Sequence, residues 1–163
     1  MKKNIFFIFF FFLIPFNSFS FEIAIVDIDY LINVSKKGKK IQNELKNKSD
    51  NQFKKFQNQE KKFKDTEKNI KSKQNVLSQE DYKKEVVNFT EKVKKYNIDK
   101  KKTISELNKN KSQEIAKLLK EINDILIQYS KENKIITILD KKNVIITKTE
   151  NDITQKILKI LDK

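Results

Sequence analysis

Seven pairs of apolar residues, the widest of them 77 positions apart, share one midpoint in this chain near position 79.5. Leu77 pairs with Tyr82, Ile70 with Phe89, Phe63 with Tyr96, Phe56 with Ile104, Phe53 with Leu107, Leu45 with Ile115 and Ile41 with Leu118. Nested pairing of this length is what two antiparallel rods produce when the chain turns back on itself. Each limb carries helical spacing. Phe56, Phe63, Ile70 and Leu77 recur every seven residues, and Val86, Phe89, Val93 and Tyr96 alternate threes and fours, as in coiled coils. No proline interrupts Ile41 to Tyr129, a stretch dense in Lys, Glu, Gln and Leu, which favour helix. Ser78 followed three residues later by Asp81 has the form of an N-terminal capping box, so the reversal is expected with its tip at Gln79-Glu80. An ascending helix from Lys36 to Leu77 would reach about 60 Å at 1.5 Å per residue. Val86 and Val93 fall opposite Lys73 and Thr66, leaving the seam imperfect.

The two ends read differently. Glu22 to Asp27 is an alternating apolar strand. Ile135 to Leu139, a turn at Asp140–Asn143, and Val144 to Thr147 are two more. A short helix capped by Asp152 follows, with Ile153, Ile157, Ile160 and Leu161 on its apolar side. The fold class is therefore α+β, predominantly α: a body of three strands and short helices, with a hairpin arm inserted after the first strand. Residues 36–120 form the arm, and residues 21–35 and 121–163 the body, whose apolar strand positions include Ile23, Ile25, Ile136, Ile138, Val144 and Ile146. A body of about 58 residues with open strand edges and no disulfide is marginal alone. A homo-oligomer is expected.

Charge follows the same division. Residues 36–120 hold 26 lysines against 12 carboxylates, while the body holds 8 lysines against 10. The net charge of +14 thus sits on the arm, which can attract anionic partners over a screening length of about 8 Å. Glu44/Lys48, Glu60/Lys64, Glu67/Lys71 and Glu91/Lys95 are spaced for i, i+4 pairing along the helices.

Catalysis is not expected. Residues 21–163 contain no His, Cys, Trp, Arg or Pro and a single glycine, Gly38. A nucleophile–base pair, a nitrogen or sulfur metal site and a phosphate-cradling loop therefore all lack their residues, and no cofactor is implied. Asp27 and Asp29 read as the end of a strand and the start of a helix rather than as a catalytic dyad. At the N-terminus, Lys2 and Lys3 precede an apolar run from Ile5 to Phe16, then Ser18 and Ser20. That is the pattern of a signal peptide cut after Ser20, and the run is shorter than the roughly 20 residues of a membrane span. An exported location follows, and export removes nucleic acid as a partner despite the basic charge.

Since most arm aromatics have seam partners, Val87 and Ile98 are the candidate contacts for an apolar ligand. They are eleven residues apart on one helical face, turned about 140–150° from the seam.

The segments Glu22-Ile-Ala-Ile-Val-Asp27, Ser35-Lys-Lys-Gly-Lys39, Ile138-Leu139-Asp140 with Asn143-Val144, and Asp152-Ile-Thr154 with Ile157-Leu158 together resemble the Skp/OmpH family of periplasmic chaperones. The resemblance covers essentially the whole chain after residue 20. It implies a homotrimer whose bodies form a small β-barrel from which three hairpins project around a cavity. It also implies a holdase that keeps unfolded outer-membrane proteins from aggregating without ATP. Gly38 becomes the joint at the base of the arm. Anionic lipid or lipopolysaccharide is a further partner class in such proteins, which no particular lysines here can be aligned to. The alternative from charge alone is a structural or tethering envelope protein that coats anionic lipid or glycan.

Overall fold

A computed structural model describes residues 22–163 of the chain; the signal-peptide expectation for residues 1–20 lies outside the described residues. Strand β1 (Glu22–Val26) leads into a short helix α1 (Ile28–Val34), then the two arm helices α2 (Lys36–Ser72) and α3 (Gln79–Glu132). Strand β2 (Ile135–Asp140), two 3-10 turns (Lys141–Asn143 and Thr149–Asn151) and the terminal helix α4 (Thr154–Leu161) complete the chain. The 37 residues of α2 and 54 of α3 correspond to rods of about 55 and 80 Å. No helix among the described residues is long and apolar enough to cross a membrane.

Residues capable of satisfying exposed backbone groups start α1, α2 and α3; the cap position of α4 is Ile153 rather than the expected Asp152, which instead accepts from the Thr154 amide at 2.9 Å. Asp27 caps α1 through a bond from the Tyr30 amide at 2.8 Å, which is the role its spacing suggested. Ser78 caps α3: its Oγ accepts from the Asp81 amide at 3.1 Å and donates to the Asp81 carboxylate at 2.7 Å. The reversal itself lies earlier than expected. Helix α2 ends at Ser72, residues 73–77 form successive turns, and Gln79 already belongs to α3. The side-chain midpoint and the chain reversal differ because α3 starts beyond the end of α2, and the turns take up the extra length.

The two strands pair in parallel, Ala24 beside Ile138 and Val26 beside Asp140, with the entire arm as their crossover. A parallel connection cannot be made by a tight turn, so an insertion of any length fits there. Ala24, Val26, Leu31, Leu118, Ile122, Leu126, Ile153, Ile157 and Leu161 form one buried cluster, with Ile41 packed against it. The innermost layer of the seam, Ile41 with Leu118, is therefore part of the body core, and α3 runs unbroken from tip to core.

Two expectations are corrected. Val144–Thr147 is not a strand. After β2 the chain must cross to the far edge of β1, where Asp152 bridges Ile25 and the Ile153 amide donates to the Ile25 carbonyl at 2.9 Å. Residues 144–151 are spent on that crossing, so only two strands pair. Ile160 is exposed rather than buried, because the buried face of α4 is the i, i+4, i+8 row of Ile153, Ile157 and Leu161.

Candidate binding surface of the arm

The arm is fixed to the body at the start of α2. Ser35 is wholly buried, and its Oγ accepts from the Gly38 amide at 3.1 Å. Asp162, at the end of α4, accepts from the Lys36 amide at 2.8 Å, which places a carboxylate where the helix dipole favours one. Gly38 sits in the first turn of α2 so close to α1 that a Cβ would lie 1.8 Å from the Ile32 carbonyl oxygen. Its absent side chain is what lets α1 and α2 meet at this angle. Lys37 pairs with Glu121 across the two arm helices. Sequence spacing had no signal for Asp162, whose partner is 126 residues away.

Farther out, polar and aromatic groups register the helices. Phe63 packs edge-on to Tyr96, ring centroids 5.2 Å apart, and to Phe89 at 5.9 Å. Phe56 also turns its ring to Tyr96, at 6.2 Å, and Phe53 packs edge-on to Phe56 on its own helix while remaining half exposed. The contact of Phe56 with Tyr96 runs diagonally between the expected layers. Tyr96 and Lys100 both donate to Glu60, at 2.9 and 2.6 Å. The hydrogen bond from Lys100, reinforced by that from Tyr96, holds the Glu60 carboxyl below its ordinary range. Lys73 pairs with Glu85 at 3.0 Å. All three cross-hairpin ion pairs straddle the same midpoint as the apolar layers. Of the i, i+4 pairs expected along the helices, Glu67 with Lys71 forms at 2.8 Å, whereas Glu60 is taken across the hairpin. Ile70 is buried, and Leu45, Leu77, Tyr82, Ile104, Leu107 and Ile115 are half-buried.

The outer surface is lysine. Lys37, Lys71, Lys73, Lys84, Lys100 and Lys117 form ion pairs, leaving twenty of the 26 arm lysines without one among the described residues. Ile98 and Val87 are 60% and 52% exposed. They do not share one patch. Ile98 lies in a shallow apolar depression with Phe89 and Val93, rimmed by Lys94 and Lys101, and Val87 is outside it. Val93, which lacks an apolar opposite in the seam, is the member that sequence spacing did not nominate as a contact; its missing partner was the signal.

In the body, Ile25 is buried and Ile138 and Val144 are half-buried, whereas Ile23 and Ile136 are exposed. Ile145 and Ile146 are 99% and 88% exposed. Among the described residues no group of three or more His, Cys, Asp or Glu converges as a metal site.

A two-stranded body with a long helical hairpin as its crossover and a lysine-covered outer surface defines an α+β scaffold with a projecting basic arm. The sequence profile described as outer membrane protein (OmpH-like) matches residues 22–161, and the chain belongs to that family. Among solved structures, the chain is similar to an OmpH-like outer membrane chaperone from Caulobacter crescentus. The TM-score is 0.81 at 16% sequence identity, over 86% of this chain and 83% of that one, which shows a shared fold. No curated protein matches the chain.

Proposed function

We propose that this protein is an ATP-independent periplasmic holdase chaperone, without catalytic activity, that holds unfolded outer-membrane proteins between the arms of a homotrimer. The observation that carries this reading is the division of labour on the arm. Its aromatic seam is used on itself, and twenty lysines and the Phe89/Val93/Ile98 depression face outward. Such a surface makes many weak contacts, whose sum under high effective concentration gives avidity without a single tight site. The relation to a protein described as an outer membrane chaperone agrees with it. Trimerisation would give Ile136, Ile145 and Ile146 a neighbour's sheet edge to cover them.

The test is aggregation of an outer-membrane β-barrel protein diluted from urea. Stoichiometric protein should keep it soluble, and unchanged aggregation would refute the proposal. The concentration of positive charge on the arm favours a second reading, an envelope tether for anionic lipid or glycan. A tether's binding should collapse in high salt and ignore whether a protein ligand is folded. A holdase should prefer the unfolded chain and retain affinity in salt.

A further inference from the structure

Ile160, exposed although it belongs to the expected apolar side of α4, lines a groove of about 480 Å³ between α4 and the last three turns of α3. Ile125 and Tyr129 of α3 form its floor, both half-buried against the body core. The α3 positions that line it run from Glu121 to Glu132 in the series i, i+3, i+4, i+7, i+8, i+11. They make one continuous helix face about 16 Å long. An apolar row at that spacing is what a helix presents to a neighbouring helix, and here α4 covers only one side of it.

The rim is acidic, in contrast to the arm. Glu121, Asp124 and Glu132 stand against one lysine, Lys163, whereas residues 36–120 hold 26 lysines to 12 carboxylates. Glu121 is paired with Lys37 and Glu132 accepts from Gln128 at 2.6 Å. Asp124 and Glu132 have no ion-pair partner among the described residues. We infer that the groove docks a basic amphipathic helix of another protein. Its apolar side chains lie on Ile125, Tyr129 and Ile160, and lysines or arginines two turns apart meet Asp124 and Glu132, which are separated by about 12 Å along α3. Both walls are helices, and an occupant that is itself a helix arrives with its backbone groups already bonded. Nucleic acid and anionic lipid share the sign of the rim and are repelled by it. The groove is on the body, so this inference does not rest on the holdase reading of the arm.

The probe is an acetylated and amidated helical peptide of leucine and lysine, about four turns long, titrated calorimetrically into the protein starting at Phe21. A leucine and glutamate peptide of the same pattern is the comparison. Saturable binding of one lysine peptide per chain is expected. Attraction to the protein as a whole favours the acidic peptide, which the arm lysines draw, so uptake of the basic one reports the groove. Asp124→Lys with Glu132→Lys, both exposed, should weaken the lysine peptide about tenfold and leave the helical melting temperature unchanged. Ile160→Ser should weaken it about fivefold and leave binding of the acidic peptide as it was. Absence of saturable binding, or binding unaltered by either variant, would overturn the inference. So would a lower oligomeric mass for Ile160→Ser, which would make a second copy of this chain the occupant. Neither variant touches the arm, and both should still keep a β-barrel client soluble, so docking and client holding can each fail while the other stands.

Discussion

Glu60 on α2 and Lys100 on α3, forty residues apart in sequence, meet at 2.6 Å, and the Lys100 ammonium lies 5.4 Å from the centre of the Phe56 ring. With Tyr96 donating to the same carboxylate, the pair fixes the register of the arm at mid-length. The hydrogen bond to Glu60 raises the Lys100 ammonium above its ordinary value, and burial, then the bond to Glu60, raise the Tyr96 phenol. Glu60 is held below 4.5, so its contribution is complete above that pH and is lost as pH falls through the depressed folded value. Tyr96 and Lys100 are raised above 10.0 and 10.5, so theirs is complete below those values and is lost as pH rises through the folded ones. Glu60→Gln should lower the urea midpoint of helix loss at neutral pH, and the difference from the natural protein should vanish once the pH falls below the depressed folded value of Glu60.

Replacing Gly38 by alanine should be severe for so small a change. The new Cβ would meet the Ile32 carbonyl at 1.8 Å, and neither helix can yield without disturbing the Ser35 and Asp162 bonds. A loss of about 3 kcal/mol in chemical denaturation is expected. Ser35→Ala, which removes a cap without adding bulk, should cost about 1 kcal/mol.

Lys134, between α3 and β2, has a φ of 56°, a left-handed conformation that suits glycine. Lys134→Gly should stabilise the protein by about 1 kcal/mol, measured by the same denaturation, with no change in oligomeric mass.

Ile145→Ser with Ile146→Ser should leave the helical spectrum of the chain intact, because both side chains are almost wholly in water within one subunit. Sedimentation should show the proposed trimer becoming smaller species. A variant that remains a trimer would place the association surface elsewhere on the body.

Ile98→Asp should weaken suppression of client aggregation by about twofold, as the loss of one contact among many, and Val87→Asp by less, since Val87 lies outside the depression formed by Phe89, Val93 and Ile98. Phe63→Ala should instead lower the stability of the arm, because its ring is used between Phe89 and Tyr96.

Much of this architecture was legible from residue order. A hairpin is a local object with a repeating pattern, so heptad spacing and nested pairs specify two antiparallel helices, and Ser78 with Asp81 specifies how the second begins. Alternating apolar residues likewise announce β1 and β2. The pattern misled where chain path intervened. Val144–Thr147 became a crossing segment although its residues favour a strand.

The sequence by itself determined the helical arm, its midpoint, its lysine surface and the apolar strands, because each depends on periodicity or composition within a continuous segment. Only the tertiary structure decided that Asp162 caps α2, that Glu60 reaches Lys100, that Gly38 is required for close approach and that a groove opens between Tyr129 and Ile160. Those depend on distances between segments far apart in the chain, set by how the helices and the body pack against one another.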